Sequence, residues 1–264
     1  MEIEDILLHL KIDGYFVIEG VIPKDEAENI GRSVATTTAS VGRKGGTAGI
    51  DATSGLISFD QSFAPYLADS RIIGPAETLF GKHVRISFTT SIINNPGNVR
   101  GPWHSDWPFN QFHPGHIPAP YPDAVQHLTT IWMLSPFSVE TGGTLVVPGS
   151  HHATNNPTGD NGVHPEKTYP TETHARGMPG DVLMFDSRLW HATATNQGKR
   201  PRLGLAVRYA PWWLNLDSLM PGSIDRLQMV DEPGLNQPYV TPVPQNVFDE
   251  LPENIKPLFR HWVR

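Results

Sequence analysis

Cysteine is missing from all 264 residues, which excludes disulfides and thiolate metal sites and leaves His, Asp and Glu as the side chains able to hold a metal. Charge is sparse at 18% of residues, and 20 Lys and Arg against 27 Asp and Glu give a net charge of −7. That balance argues against a nucleic-acid groove, which needs clustered cations. No apolar run approaches the ~18 residues of a membrane span, and the apolar stretch in the N-terminal MEIEDILLHL is too short for a signal-peptide core. A soluble, cytoplasmic chain with neither nucleic-acid nor membrane partners is expected. The sequence does not speak to oligomeric state.

What is abundant is glycine and proline, 24 and 25 residues, as expected of many short strands joined by turns. Hydrophobic residues at 38% are sufficient for a core. The length suits one domain over residues 1–264, since β barrels and sandwiches often fill this size as a single unit.

Helical spacing of Ile3, Ile6, Leu7 and Leu10 predicts a first helix that ends at Asp13-Gly14. Tyr15 to Glu19 is β-rich, and Pro23 followed by Asp25, Glu26 and Glu28 starts a second helix running to about Ala39. Residues 42–55 are glycine-rich without periodicity and read as a long mobile loop; residues 63–80 are helical, interrupted at Gly74-Pro75. From residue 84 the period changes to two, with Val84, Ile86, Phe88 and Ile92 alternating against Arg85, Ser87, Thr89 and Ser91. Further strands are predicted at 103–109, 127–134, 143–147, 181–185, 190–195 and 202–209, and a last short helix within 247–264. Helices followed by many short strands predict a mainly β chain, a double-stranded β-helix (jelly roll, cupin-like) with the N-terminal helices packed on one sheet.

Twelve histidines make one His-x-Asp triplet unremarkable by composition, and it occurs once, as His104-Ser105-Asp106. On a strand, period two puts both side chains on one face, where they can approach one ion. His191, in LWHATATN, supplies a third ligand. Two imidazoles and one carboxylate with open positions is the donor set of non-haem Fe(II) oxygenases. Arg202 lies eleven residues beyond His191, and on a strand it shares its face with Gly204 and Ala206, leaving a carboxylate-sized space beside a planar fork suited to a carboxylate. Thr89 and Ser91, on the polar face of their strand, are expected to point into the barrel, where either can contact a cofactor bound beside the metal. His164-x-Glu166, His113-Pro-Gly-His116 and His151-His152 are weaker ligand candidates in turn-like segments.

DGYFVIEGVIP at 13–23, WHSD at 103–106, the stretch from Trp132 to the PGSH at 148–151, and GDVLMFDSRLWHATATNQGKRPRLGLAVRYAP at 180–211 together resemble the phytanoyl-CoA dioxygenase family of Fe(II)/2-oxoglutarate-dependent oxygenases. The resemblance implies that His104, Asp106 and His191 bind iron, that Arg202 pairs with the distal carboxylate of 2-oxoglutarate, and that Thr193 assists it. It implies consumption of dioxygen and 2-oxoglutarate, release of succinate and carbon dioxide, and oxidation of a small-molecule metabolite, most simply by hydroxylation; demethylation and desaturation use the same site. Segments 42–55 and 107–127 depart most from the family pattern and are where substrate choice is expected, through Arg43, Trp107, Phe109 and His113, with Trp132 from a neighbouring strand. A cupin-like isomerase or hydrolase is the alternative within enzymes, and a binding module in which the triplet is incidental is the alternative outside them. Neither needs an inward Arg202.

Overall fold

The computed structural model describes residues 2–107, 116–157, 164–235 and 239–264. The strands are β1 (Tyr15–Ile18), β2 (Ile50–Asp51), β3 (Arg85–Asn94), β4 (Leu128–Met133), β5 (Leu145–Val146), β6 (Thr173–His174), β7 (Val182–Asp186), β8 (His191–Ala192) and β9 (Arg202–Ala210). They form a six-stranded sheet in the order β1-β7-β4-β9-β3-β2 and a three-stranded sheet in the order β6-β5-β8. Every pairing is antiparallel.

Strand alternation divides the large sheet between two environments. Leu128 and Trp132 of β4, Val182 and Met184 of β7, and Leu205, Val207 and Tyr209 of β9 share one core with helical residues. Those residues come from helix α1 (Ile3–Ile12), helix α2 (Lys24–Val41) and helix α3 (Ser70–Phe80), among them Ile6, Leu10, Ile30, Val34 and Ile72. The residues out of phase, Ile131, Met133, Leu183, Phe185 and Ala206, pack with Val146 of the small sheet. The same core that holds the helices takes in Leu258, Phe259 and Trp262 from the C-terminal segment, and the Trp262 indole N–H donates to the Ile86 carbonyl at 2.6 Å. Trp212 and Trp213 are exposed.

Three local expectations need correction. Residues 103–107 form no strand: His104 alone makes an isolated bridge, to His191. Segment 42–55 is bonded to the sheet. Ile50 and Asp51 pair with Asn94 and Ile93, Arg43 and Ser54 form bridges to Ala52 and Thr90, and the Asp51 carboxylate accepts from the Gly45 amide and the Asn95 side chain. Its glycines are turn residues of this arrangement, with Gly45, Gly49 and Gly55 in left-handed conformations. Helix α3 runs through Pro75, which removes one helical hydrogen bond without ending the helix. Gly74 lets α1 come close, since a Cβ there would lie 2.5 Å from the Ile3 Cδ1.

Gly180 is the position most intolerant of a side chain. Its φ is +100°, and a Cβ would lie 2.0 Å from the Ile22 carbonyl oxygen, while its own carbonyl accepts from the Ile22 amide at 3.1 Å. Gly180→Ala combines left-handed strain with a backbone clash and is expected to cost about 2–4 kcal/mol. Urea denaturation of the two proteins measures it, and a loss under 1 kcal/mol would contradict the clash.

Candidate active site

His104 and His191 meet through a two-way backbone bridge, each amide donating to the other's carbonyl at 3.0 and 2.9 Å. Their rings lie 4.2 Å apart between centroids. Each Nδ1 faces a backbone carbonyl two residues earlier, Pro102 at 3.1 Å and Leu189 at 2.9 Å. A carbonyl only accepts, so Nδ1 carries the proton in both rings and Nε2 is left with a free lone pair, the form a metal requires. Asp106 is turned toward them by its own amide, which donates to the Ser187 carbonyl at 2.7 Å, and its Oδ2 lies 3.8 Å from the His191 Nε2. One donor atom from each of the three lies within 4.8 Å of the others, and theirs is the only such cluster among the described residues.

The carboxylate is held on both oxygens. Arg208 Nη2 donates to Oδ1 at 2.7 Å, and the Thr129 hydroxyl donates to Oδ2 at 2.9 Å. Burial works against the Asp106 charge, but the Arg208 guanidinium, the two imidazoles and the Thr129 hydrogen bond outweigh it and hold the carboxyl below its usual range. The Arg208 guanidinium in turn stacks on the Phe88 ring at 4.7 Å.

A cavity of about 100 Å³ opens beside this cluster, lined by Thr90, Thr129, Thr144, Thr193, Arg202 and Arg208 among others. Arg202 is 2% exposed, and its guanidinium lies over the Phe137 ring at 4.3 Å. Neither its Nε nor its Nη1 has a hydrogen-bond partner. Burial without a counter-charge pushes it down to about 9, so the cavity contains a cation that a bound carboxylate would satisfy. Gly204 makes room for it, because a Cβ there would lie 3.1 Å from the Phe137 ring and 3.5 Å from Arg202 Nη1.

Of the residues singled out from sequence, His104, Asp106, His191, Arg202 and Thr193 are brought together around this cavity. Thr89 and Ser91 are not. A bulge between Ile86 and Phe88 resets the alternation of β3, so Thr90 and Ile92 face the cavity and Thr89 and Ser91 face the other way. Thr89 Oγ1 accepts from the Ile57 amide, and Ser91 Oγ accepts from Thr38 Oγ1 and the Thr53 amide. Trp132 is likewise on the helix-facing side, in phase with Leu128 and out of phase with the cavity-lining Thr129 and Ile131, and its indole donates to Thr130 Oγ1. Arg43 is exposed and folded over Gly46. Trp107 is buried, 6.0 Å from the His127 ring; Phe109 and His113 lie outside the described residues.

Reading the sequence missed Arg208, Thr129 and Thr90. Arg208 had a signal, being in phase with Arg202 on the same strand.

His191 is lowered to about 4 by burial and then by His104, and His127 to about 3 by burial and then by Arg208. The unfolded chain therefore takes up protons below about pH 6.5 that the folded chain refuses. Stability of the metal-free protein should be full above that value and decline progressively as pH falls toward about 4. Melting temperatures at a series of pH values test it; a flat profile over that span would contradict the buried neutral imidazoles.

The two antiparallel sheets carry a His/Asp/His cluster whose donor atoms could hold a metal ion. The profile of the phytanoyl-CoA dioxygenase (PhyH) family matches residues 10–204, and the chain belongs to that family. Dioxygenase af480 of Aspergillus fumigatus is 30% identical over 206 residues, covering 74% of this chain and 62% of that protein. The chain thus spans somewhat over three fifths of that relative. Among solved structures it resembles the epimerase SnoN in complex with Fe3+, alpha-ketoglutarate and nogalamycin RO, with a TM-score of 0.65, 21% identity, and coverage of 84% and 92% of the two chains. It also resembles HygX of Streptomyces hygroscopicus with nickel, 2-oxoglutarate and hygromycin B bound, with a TM-score of 0.63, 18% identity, and coverage of 89% and 95%. At these identities the structures establish a shared fold. Among the described residues no helix is long and apolar enough to cross a membrane.

Proposed function

We propose that the chain is a single-domain, double-stranded β-helix dioxygenase dependent on Fe(II) and 2-oxoglutarate, which oxidises a small-molecule metabolite, most simply by hydroxylation, with release of succinate and carbon dioxide. The observation that carries the reading is Arg202, a buried guanidinium with two unpartnered nitrogens in the same cavity as His104, Asp106 and His191. A cupin-like isomerase or hydrolase that uses no cosubstrate has use for the three ligands but none for that cation. Family membership supports the oxygenase, as do the 2-oxoglutarate and small molecules held by proteins of the same fold.

In this reading His104 and His191 offer Nε2, and Asp106 offers the oxygen not held by Arg208. Bound iron supplies oxidation of a C–H bond coupled to oxidative decarboxylation of 2-oxoglutarate. The chain's own part is positioning and exclusion of water. Arg202 takes the distal carboxylate, with the Thr193 hydroxyl beside it as a further polar contact. Ile92, Ile131 and Ala206 wall the cavity and exclude water from it, and Phe137 backs the Arg202 guanidinium.

Anaerobic titration with Fe(II) and 2-oxoglutarate tests the reading. The oxygenase develops a weak visible metal-to-ligand charge-transfer band that needs both components. A protein that binds iron and gives no band on adding 2-oxoglutarate would be a metalloprotein that uses no cosubstrate, such as a cupin-like hydrolase.

A further inference from the structure

Behind Asp106 lies a chain of polar side chains whose proton positions are fixed by elimination. Asp106 is ionised in its pair with Arg208, so it only accepts, and the Thr129 hydroxyl must give its single proton to Oδ2. Thr129 Oγ1 and Ser187 Oγ are 2.7 Å apart. With the Thr129 proton committed, Ser187 must donate to Thr129. Ser187 Oγ is also 2.8 Å from His127 Nδ1, and with its own proton committed it can only accept there. His127 therefore carries its proton on Nδ1. Its Nε2, 2.8 Å from Ser87 Oγ, is then an acceptor, and Ser87 donates to it.

The series runs in one direction, from Ser87 on β3 through His127, Ser187 and Thr129 to Asp106; Ser87 Oγ also lies 3.4 Å from the Arg208 carbonyl, but its single proton goes to the nearer His127 Nε2, which has no proton of its own to give. All of these side chains are buried. Backbone contacts brace the same series, with the Ser187 amide donating to the His127 carbonyl and the Ser187 carbonyl accepting from Asp106 and Trp107.

We infer that Ser87, His127, Ser187 and Thr129 form a one-way hydrogen-bond relay that, with Arg208 on the opposite oxygen, clamps the Asp106 carboxylate so that Oδ2 alone is presented to the imidazoles. The clamp makes Asp106 a one-oxygen ligand and keeps the remaining coordination positions for cosubstrate and dioxygen. The members of the relay are positioning residues; none lies among the ligands themselves. Outer partners of this kind commonly govern metal affinity by one to two orders of magnitude. The inference rests on Asp106 being a metal ligand, as proposed above.

Two measurements test it. The first needs no substitution: nitrogen-detected NMR of the 15N-histidine-labelled, metal-free protein reads the tautomer of His127. Protonation on Nδ1 is expected, and protonation on Nε2 would reverse the relay and overturn it. The second is Fe(II) affinity by calorimetry. Thr129→Val, which keeps shape but cannot donate, should weaken Fe(II) binding about 10- to 100-fold, and Thr129→Ser should restore most of it. His127→Phe should weaken binding about tenfold, and His127→Asn, whose amide can still donate to Ser187, should recover part of the loss. Lower melting temperatures with parental Fe(II) affinity in Thr129→Val and His127→Phe would make the network merely structural. An effect of Thr129→Val without one of His127→Phe would end the chain at Thr129 and overturn the relay. Failure of the parent protein to bind Fe(II) at all would instead strike the ligand assignment.

Discussion

Alanine at His104, Asp106 or His191 is expected to reduce product formation to background, because each removes one of the three donors that lie within 4.8 Å of one another. The three variants should differ in stability, and the difference follows from what surrounds each side chain. Loss of Asp106 strands the Arg208 guanidinium, which is paired to it at 2.7 Å and 25% exposed. Breaking a buried pair costs ~3–5 kcal/mol, and partial exposure of Arg208 reduces this to about 2–4 kcal/mol. Loss of His191 removes a neutral imidazole that burial already disfavours as a cation, so His191→Ala should cost less. Urea denaturation of the metal-free variants and product assays with iron and 2-oxoglutarate supplied in excess separate the two effects. Full turnover in any of the three variants would remove that residue from the site, and equal stability losses in all three would mean that the Asp106–Arg208 pair contributes nothing special.

The contrast between what the sequence revealed and what it hid has physical causes. Arg202 and Ala206 were legible because β9 is a regular nine-residue strand, in which period two assigns faces without further information. The same reasoning failed on β3, where the bulge between Ile86 and Phe88 shifts the phase by one and exchanges Thr89 and Ser91 for Thr90. An extra residue in a strand leaves no mark on composition. His104 and Asp106 were found by strand logic, although their segment is not a strand. A bridge to His191 and the Asp106 amide bond to Ser187 bring these side chains together instead, so residues that do cluster were reached through the wrong local structure. Segment 42–55 lacked periodicity because glycine turns and two-residue pairings are too short to show any. The relay behind Asp106 joins residues 87, 106, 127, 129 and 187, which come together through the pairing of β3, β4, β7 and β9. No local pattern encodes contacts of that sequence separation; Ser and Thr on strands look like ordinary β-formers until the sheet is assembled.

Arg202→Met is expected to act in opposite directions on stability and on cosubstrate binding, and that opposition is the signature of a residue kept for a ligand. In the protein without 2-oxoglutarate the guanidinium is buried on Phe137 with Nε and Nη1 unpartnered, and its lowering to about 9 by burial expresses the cost of keeping the charge there. Replacing even a buried ion pair by apolar side chains of similar volume is commonly neutral or stabilising by ~1–4 kcal/mol, and a buried charge without a partner has less attraction to lose. Melting of the metal-free Arg202→Met protein should therefore occur at the same temperature as the parent or higher. Binding of 2-oxoglutarate should weaken by about 2–5 kcal/mol, the usual loss when one partner of a buried, hydrogen-bonded charge pair is removed, which corresponds to roughly 30-fold to several-thousandfold in dissociation constant. Fe(II) affinity should stay near the parental value, since Arg202 has no contact with the ligand imidazoles or carboxylate. Arg202→Lys keeps the charge without the planar fork and should recover only part of the binding. The readouts are the charge-transfer band as a function of 2-oxoglutarate concentration, calorimetry with Fe(II), and thermal melts. A destabilised Arg202→Met protein with unchanged 2-oxoglutarate affinity would show that the guanidinium serves the core through its stacking on Phe137, and would remove the observation that distinguishes this barrel from metalloproteins that use no cosubstrate.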